Sequence, residues 1–253
     1  MYFCRNLNIM GKRIIITGAS SGMGKEVAKI FISKGYIVGL AARRLEKLQE
    51  LQELDKDNVF VEQIDVTKED AGDKLQQLID RIGGLDIYFN ASGVGWENKE
   101  LAIDKEITTI NTNALGFARM IVTAFNYFAK KGFGQIAVIS SIAGVKGMGA
   151  APSYSATKRF ENHYIDALEQ LAHIRKLDIK FTDIRPGFVA TDLLDNDKKY
   201  PLLMDKTFVA NEIAKAIEKK TRCKIIDWRY RILVFFWKLL PSCLWKRMNV
   251  SHK

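Results

Sequence analysis

Short apolar runs alternate with longer segments of helical period along most of this chain. Residues 13–17 are a β-branched run, Arg-Ile-Ile-Ile-Thr, closed by Gly18, as expected of a buried strand. Residues 22–34 then group Val27, Ala28, Ile30 and Phe31 on one side of a helix. A second strand is expected at 36–41 and a second helix at 45–54, carried by Leu45, Leu48 and Leu51. A third strand falls at 59–64, and Leu75, Leu78, Ile79 and Ile82 mark a third helix. A fourth strand at 85–89 precedes one long helix over about 105–131, a fifth strand at 135–139 and another helix over 153–176. A sixth strand at 179–184, a helix at 209–219 and a weak strand at 224–226 complete the series.

Strand–helix alternation predicts a parallel sheet, because parallel neighbours need crossover connections and right-handed crossovers put helices on both faces. The expectation is an α/β chain with a doubly wound sheet of about seven strands, one domain over 10–227, and a C-terminal helical appendage over 228–253. No internal repeat, linker or low-complexity stretch interrupts it.

Composition narrows the class. A chain of 253 residues, 47% apolar and 27% charged, can bury a core without disulfide or metal staples and is neither disordered nor collagenous nor a coiled coil. Cys4, Cys223 and Cys243 are too few and scattered for a disulfide framework and read as free thiols in a reducing compartment. His163, His173 and His252 have no ligand spacing with an acidic partner, so no metal site is expected. Basic residues outnumber acidic ones 39 to 29, a formal charge of +10. Eight of the basic residues lie in 221–253 against Asp227 alone, which leaves 31 and 28, a net +3, in the first 220. The body is therefore near neutral and no nucleic-acid partner is expected. Residues 1–10 lack an apolar core of signal-peptide length, and the most apolar stretch, 232–240, is nine residues with Lys238 inside it, against roughly 20 for a membrane span. The expected location is cytoplasmic.

The loop Thr17-Gly18-Ala19-Ser20-Ser21-Gly22-Met23-Gly24 joins the first strand to the first helix. Glycines there let backbone N–H groups approach a pyrophosphate, and the helix N-terminus adds partial positive charge. The spacing is Gly-x3-Gly-x-Gly, and taken alone it also fits a plain tight connection. Arg43 and Arg44 follow the second strand, where a chain built for NAD places an acid to hold the ribose hydroxyls. Guanidinium groups suit a 2′-phosphate instead, which favours NADP(H), though Arg44 also reads as a solvated helix start. Asp65 and Val66 end the third strand, where a carboxylate can accept from an adenine amino group.

Tyr154 and Lys158, four apart, share a helix face. The same spacing recurs at Tyr127 and Lys131, and the surroundings separate the two pairs. Thirteen residues before Tyr154 lies Ser141, just past the fifth strand, whereas thirteen before Tyr127 lies Ala114, inside a helix. Only Tyr154 has a hydroxyl partner at the carboxyl end of a central strand, where doubly wound sheets bind ligands, so Tyr127 and Lys131 read as the solvated end of a helix. An ammonium about 5 Å from the phenol favours the phenolate by roughly 3 kcal/mol at an effective dielectric of about 20. Tyr154 then serves as acid or base near neutral pH, with Ser141 on the substrate oxygen, Lys158 also free to hold a ribose hydroxyl, and Asn113 positioning a water that relays protons to Lys158.

These landmarks, in this order, resemble the short-chain dehydrogenases/reductases of compact, single-domain type, and the match runs from Lys12 to about Lys220. It includes Asn90-Ala91-Ser92-Gly93 and Arg185-Pro186-Gly187-Phe188-Val189-Ala190-Thr191. The resemblance implies a Rossmann-like fold and a tetrad of Asn113, Ser141, Tyr154 and Lys158, with Asn113 chosen over Asn111 by family spacing. It further implies a cofactor site that adds Asn90, Gly93, Tyr154, Lys158, Pro186, Gly187, Val189 and Thr191 to the loop residues Gly18, Ser20, Ser21, Gly22, Met23 and Gly24 and to Arg43, Arg44, Asp65 and Val66. Val189 and Thr191 are expected at the nicotinamide carboxamide. The family commonly carries a second asparagine where this chain has Ala91, a change that removes no catalytic group. The implied activity is NADP(H)-dependent interconversion of a carbonyl and a primary or secondary alcohol on an apolar, lipid-like small molecule. The competing reading is a non-catalytic dinucleotide-binding sensor or scaffold of the same fold.

Leu193, Leu194, Leu202, Leu203 and Met204 read either as an apolar ceiling over the substrate or as ordinary packing, and the 147–149 loop is a further candidate lining. The helices at 105–131 and 153–176 resemble the family's dimer-forming pair, so a homodimer or homotetramer is expected. The tail concentrates Trp228, Trp237, Trp245, Phe235 and Phe236 with basic residues around Pro241, and two short amphipathic helices fit. It serves either a dimer contact, a lid, or peripheral contact with the inner membrane surface.

Overall fold

The computed structural model describes residues 11–194 and 199–248. Cys4, His252, the charged run 195–198 and the outermost residues of the expected body and tail lie outside them. Strands β1 (Arg13–Thr17), β2 (Ile37–Ala42), β3 (Val59–Gln63), β4 (Ile87–Asn90), β5 (Phe133–Ile139), β6 (Asp178–Pro186) and β7 (Cys223–Ile226) form one sheet in the order β3-β2-β1-β4-β5-β6-β7. Every neighbouring pair is parallel. Strand order reverses between β1 and β4, the switch point outside which such sheets bind ligands.

Period-two alternation explains both faces. Ile14, Ile16, Val38, Leu40, Phe89, Ala137 and Ile184 point to one core, under α1 (Gly22–Ser33), α2 (Leu45–Gln52), α7 (Lys206–Glu218) and α8 (Trp228–Leu239). Ile15, Tyr88, Ile136, Val138 and Phe181 point to the other, under α3 (Ala71–Arg81), α5 (Phe117–Lys131) and α6 (Pro152–Ile174). A short α9 (Ser242–Trp245) follows Pro241. The doubly wound, Rossmann-like expectation is met, and most strand limits move by one or two residues.

The expected long helix at 105–131 is the largest departure. It divides into α4 (Ile103–Ile110), a π-helical turn (Asn111–Gly116) and α5. The apolar pattern is continuous through the turn, so sequence periodicity hides it. Asn113 sits in that turn, fully buried, and such widened turns are frequent at functional sites.

Tyr127 and Lys131 are a clamp rather than a solvated helix end. The Tyr127 hydroxyl accepts from the Leu85 N–H at 3.2 Å, and Lys131 Nζ donates to the Leu85 carbonyl at 2.7 Å and to Asp86 at 2.6 Å. Together they tie the end of α5 to the start of β4. Burial works against the Asp86 carboxylate, but Lys131 and the Arg13 N–H outweigh it and hold its pKa below the ordinary value. A lowered carboxyl pKa stabilises the fold above the ordinary value near 4 and loses that contribution as pH falls through the lowered one. Lys131→Met is therefore expected to cost about 1–2 kcal/mol in urea denaturation at pH 7, with the gap to the parent narrowing as pH falls below the ordinary carboxyl value and activity unchanged.

Candidate active site

The carboxyl ends of β1, β2, β3 and β4 open onto a groove of about 420 Å³. Gly18, Ser20, Ser21, Gly22, Met23, Gly24, Arg43, Arg44, Asp65, Val66, Gly93 and Thr191 all line it, as the sequence led one to expect, and Ala91, Trp96 and Leu193 join them. Gly18 has a left-handed backbone (φ +78), and a Cβ on it would come within 2.6 Å of the Ala91 carbonyl carbon. The N-terminus of α1 carries no acid in its first turn and no side-chain cap. Gly22, Met23 and Gly24 of its first turn line the groove, which sets the positive end of the helix where an anion can bind.

Arg44 donates from Nη2 to the hydroxyls of Ser20 (3.1 Å) and Ser21 (2.8 Å), joining the β2 end to the glycine loop. The residue that read as a solvated helix start thus makes the direct link. Arg43 acts on Asp65. Burial disfavours the Asp65 carboxylate, but hydrogen bonds from Thr67 and the Arg43 charge prevail and lower its pKa. A cationic edge beside a held carboxylate suits an adenosine carrying a 2′-phosphate.

Six expected cofactor residues, Asn90, Tyr154, Lys158, Pro186, Gly187 and Val189, are not part of the groove lining. Asn90 accepts from Thr17 Oγ1 (2.9 Å) and Tyr88 (3.3 Å) inside the sheet. Pro186 ends β6. Gly187 lies against the Tyr230 ring, and Val189 is buried in a bridge to Met204. Met204 is therefore ordinary packing, whereas Leu193 does line the groove.

Tyr154 and Lys158 meet on one face of α6, with Nζ 5.8 Å from the centre of the phenol ring. The segment Gly93-Val94-Gly95 lines the groove and also packs against them. A Cβ on Gly95 would collide with the Tyr154 ring, and one on Gly93 would lie 3.4 Å from Lys158 Nζ and 3.5 Å from Asn113 Oδ1. The Asn113 amide clamps that segment, accepting from the Val94 N–H (2.9 Å) and donating to the Val94 carbonyl (2.7 Å), with a longer bond to Thr157 (3.3 Å). Ser141 is buried just past β5, where its oxygen accepts from the Ala143 N–H (3.1 Å) and its hydroxyl faces the Pro186 carbonyl (3.5 Å).

Lys158 is 4% exposed and is not left with the phenol alone. Nζ donates to the Ile139 carbonyl (3.1 Å) and to both carboxylate oxygens of Glu161 (3.0 Å each). Burial disfavours the ammonium, but the Glu161 and Tyr154 charges overcome it and raise its pKa. Glu161, fully buried, has its own pKa raised to about 7 by burial, aided by Asp183 and opposed by Lys158. Asp183 is in turn held by Ser140 and by Arg185 at 2.6 Å. Sequence reading missed Glu161, although its spacing of three from Lys158 placed both on one helix face. A carboxylate 3.0 Å from Nζ offsets part of the field the ammonium exerts at the phenol.

Comparison with known proteins bears on these features. The family model for short chain dehydrogenases matches residues 12–201. An uncharacterized oxidoreductase of Mycobacterium tuberculosis is 30% identical over 254 residues, covering 93% of this chain and 96% of the relative. One from Listeria monocytogenes is 34% identical over 196 residues, covering 75% and 79%. Among solved structures, ElxO with NADP bound is 25% identical with a TM-score of 0.77, covering 88% of this chain and 100% of that one. An alcohol dehydrogenase of the archaeon Thermococcus sibiricus, solved with 5-hydroxy-NADP, shares the fold at 24% identity and a TM-score of 0.73, over 85% and 94% of the two chains.

Proposed function

The chain belongs to the short chain dehydrogenase family, and on that premise we propose that it is an NADP(H)-dependent oxidoreductase interconverting a carbonyl and an alcohol on an apolar small molecule. One observation carries the reading. A phenol and a buried ammonium share a helix face packed against Gly93–Gly95, which line a groove also lined by Arg43, Arg44 and Asp65. The glycine loop and the open start of α1 would hold the pyrophosphate, Arg43 and Arg44 the 2′-phosphate, and Asp65 the adenine. When bound, the reduced dinucleotide supplies hydride to the carbonyl carbon.

The chain's own groups do the rest. Tyr154 delivers the proton to the substrate oxygen, and Ser141 orients that oxygen by hydrogen bond. Lys158 keeps positive charge beside the phenol, and holding a ribose hydroxyl would require it to exchange one of its bonds to Ile139 and Glu161. Asn113 holds the Val94 backbone and carries the water relay. Exposed thiols at Cys223 and Cys243 support a reducing, cytoplasmic setting. Ile107, Leu115, Val122 and Phe160 are exposed on α4, the π turn, α5 and α6, and support a homodimer or homotetramer built on those helices.

The direct test is NADPH oxidation against a panel of ketones and aldehydes, followed by loss of reduced-nicotinamide absorbance. No turnover of any carbonyl by the purified chain would defeat the proposal. Cofactor choice has its own test. Reversing the charge with Arg44→Glu is expected to lower kcat/KM for NADPH by about tenfold or more while leaving NADH nearly unchanged, since one charge-assisted bond to a phosphate contributes about 1.5–3 kcal/mol. Equal losses with both cofactors would place Arg44 outside 2′-phosphate recognition.

A further inference from the structure

The helix α8 is apolar on two opposite faces, and only one is used by the fold. Tyr230 and Val234 are buried and Trp237 packs against the core, a stripe at spacings of four and three. On the opposite side Trp228, Ile232, Phe235, Phe236 and Leu239 are exposed, the last two at 65% each. Leu244 and Met248 extend the apolar surface through and beyond α9. Arg231 and Lys238 flank it on one side and Lys246 and Arg247 lie at its end, while Arg229 on the other side is paired with Asp227 at 2.7 Å; no acidic residue occurs from 228 to 248. No described helix is long and apolar enough to cross a membrane.

This element is also attached to the loops around the site. Tyr230 accepts from the Phe188 N–H (3.1 Å) and donates to the Pro201 carbonyl (2.9 Å). Trp245 Nε1 donates to the Gly147 carbonyl (2.7 Å), in the loop that leads into the Tyr154 helix. The tail is therefore bonded both to the segment that follows β6 and to the loop that leads into α6.

We propose that the outward face of α8 and α9 seats the protein on an anionic lipid surface, and that the carbonyl substrate is an apolar molecule taken from that surface. The docking half stands on the tail alone, and the substrate half rests on the oxidoreductase reading above. Large aromatics facing outward, bordered by cations with no intervening acid, match the acyl boundary and headgroup charge of an anionic bilayer. A second copy of the chain fits less well, because pairing this face with itself sets its cations against one another.

Sedimentation of the full chain with vesicles decides the docking. Equimolar phosphatidylglycerol and phosphatidylcholine should pellet it at least about tenfold better than phosphatidylcholine alone, and added salt should weaken the binding. The triple substitution Trp228→Ser, Phe235→Ser, Phe236→Ser should lose about tenfold or more of that binding while reducing a water-soluble aldehyde at the parent rate. A parent protein that stays in the supernatant, or a triple variant that pellets equally well, overturns the docking. A parent that ignores vesicles but loses self-association on the triple substitution assigns the face to a second copy. With a long-chain aldehyde dissolved in the anionic vesicles, the triple variant should turn over about tenfold more slowly, and an unchanged rate overturns the substrate half. Failure of all carbonyl turnover would count against the oxidoreductase reading and leave the sedimentation result standing.

Discussion

Tyr154→Phe is expected to lower carbonyl reduction by a factor on the order of a hundred to ten thousand, the range a positioned general acid supplies. The substitution keeps the ring that packs on Gly95, so the Gly93–Gly95 segment and the groove it lines retain their shape. Only the hydroxyl leaves, and with it the proton donor. NADPH affinity, followed by fluorescence titration, should therefore stay within about twofold, because Tyr154 is not part of the groove lining. The loss should appear in kcat and kcat/KM together, as for a contact made in the transition state. Parent and variant that bind NADPH alike and reduce nothing would instead favour a dinucleotide-binding sensor or scaffold. Equal turnover by both would remove Tyr154 from the chemistry.

The sheet was legible because parallel strands buried on both faces read as unbroken β-branched runs. Arg13–Thr17 and Ile37–Ala42 fall within a residue of expectation for that reason. The groove was legible because its residues follow strand ends, and a strand end fixes which side of the sheet the next loop reaches. What stayed hidden depends on contacts between distant segments. Nothing local tells Lys131 that Leu85 and Asp86 lie beside it, so its pair with Tyr127 looked like a free helix end. Nothing in the apolar pattern of 105–131 records the π turn that buries Asn113. That Val189, expected at the cofactor, and Met204, weighed as a ceiling over the substrate, are both buried and bridge to each other is a contact that sequence spacing does not encode.

Glu161→Leu should be the most damaging single change to stability in this region, costing about 3–5 kcal/mol at pH 8, because it leaves the Lys158 ammonium buried with only the Ile139 carbonyl as a direct partner. Replacing both members, Lys158→Met with Glu161→Leu, should recover most of that loss, since a buried ion pair and an apolar pair of similar volume are often close in stability. Catalysis should not return with it, as the ammonium beside Tyr154 is gone. The pH dependence separates pairing from bulk. The Glu161 carboxyl is raised to about 7 from an ordinary value of 4.5, so the folded protein keeps a proton that the unfolded chain releases. The stability this group adds is full below the ordinary value, declines as pH climbs towards about 7, and is flat beyond. Glu161→Gln cannot titrate and should lack the decline, up to about 3 kcal/mol between pH 5 and pH 8 by urea denaturation. A double variant as unstable as Glu161→Leu alone, or a glutamine variant with the parent's pH slope, would mean that the pair behind Tyr154 is not what holds the lysine in place.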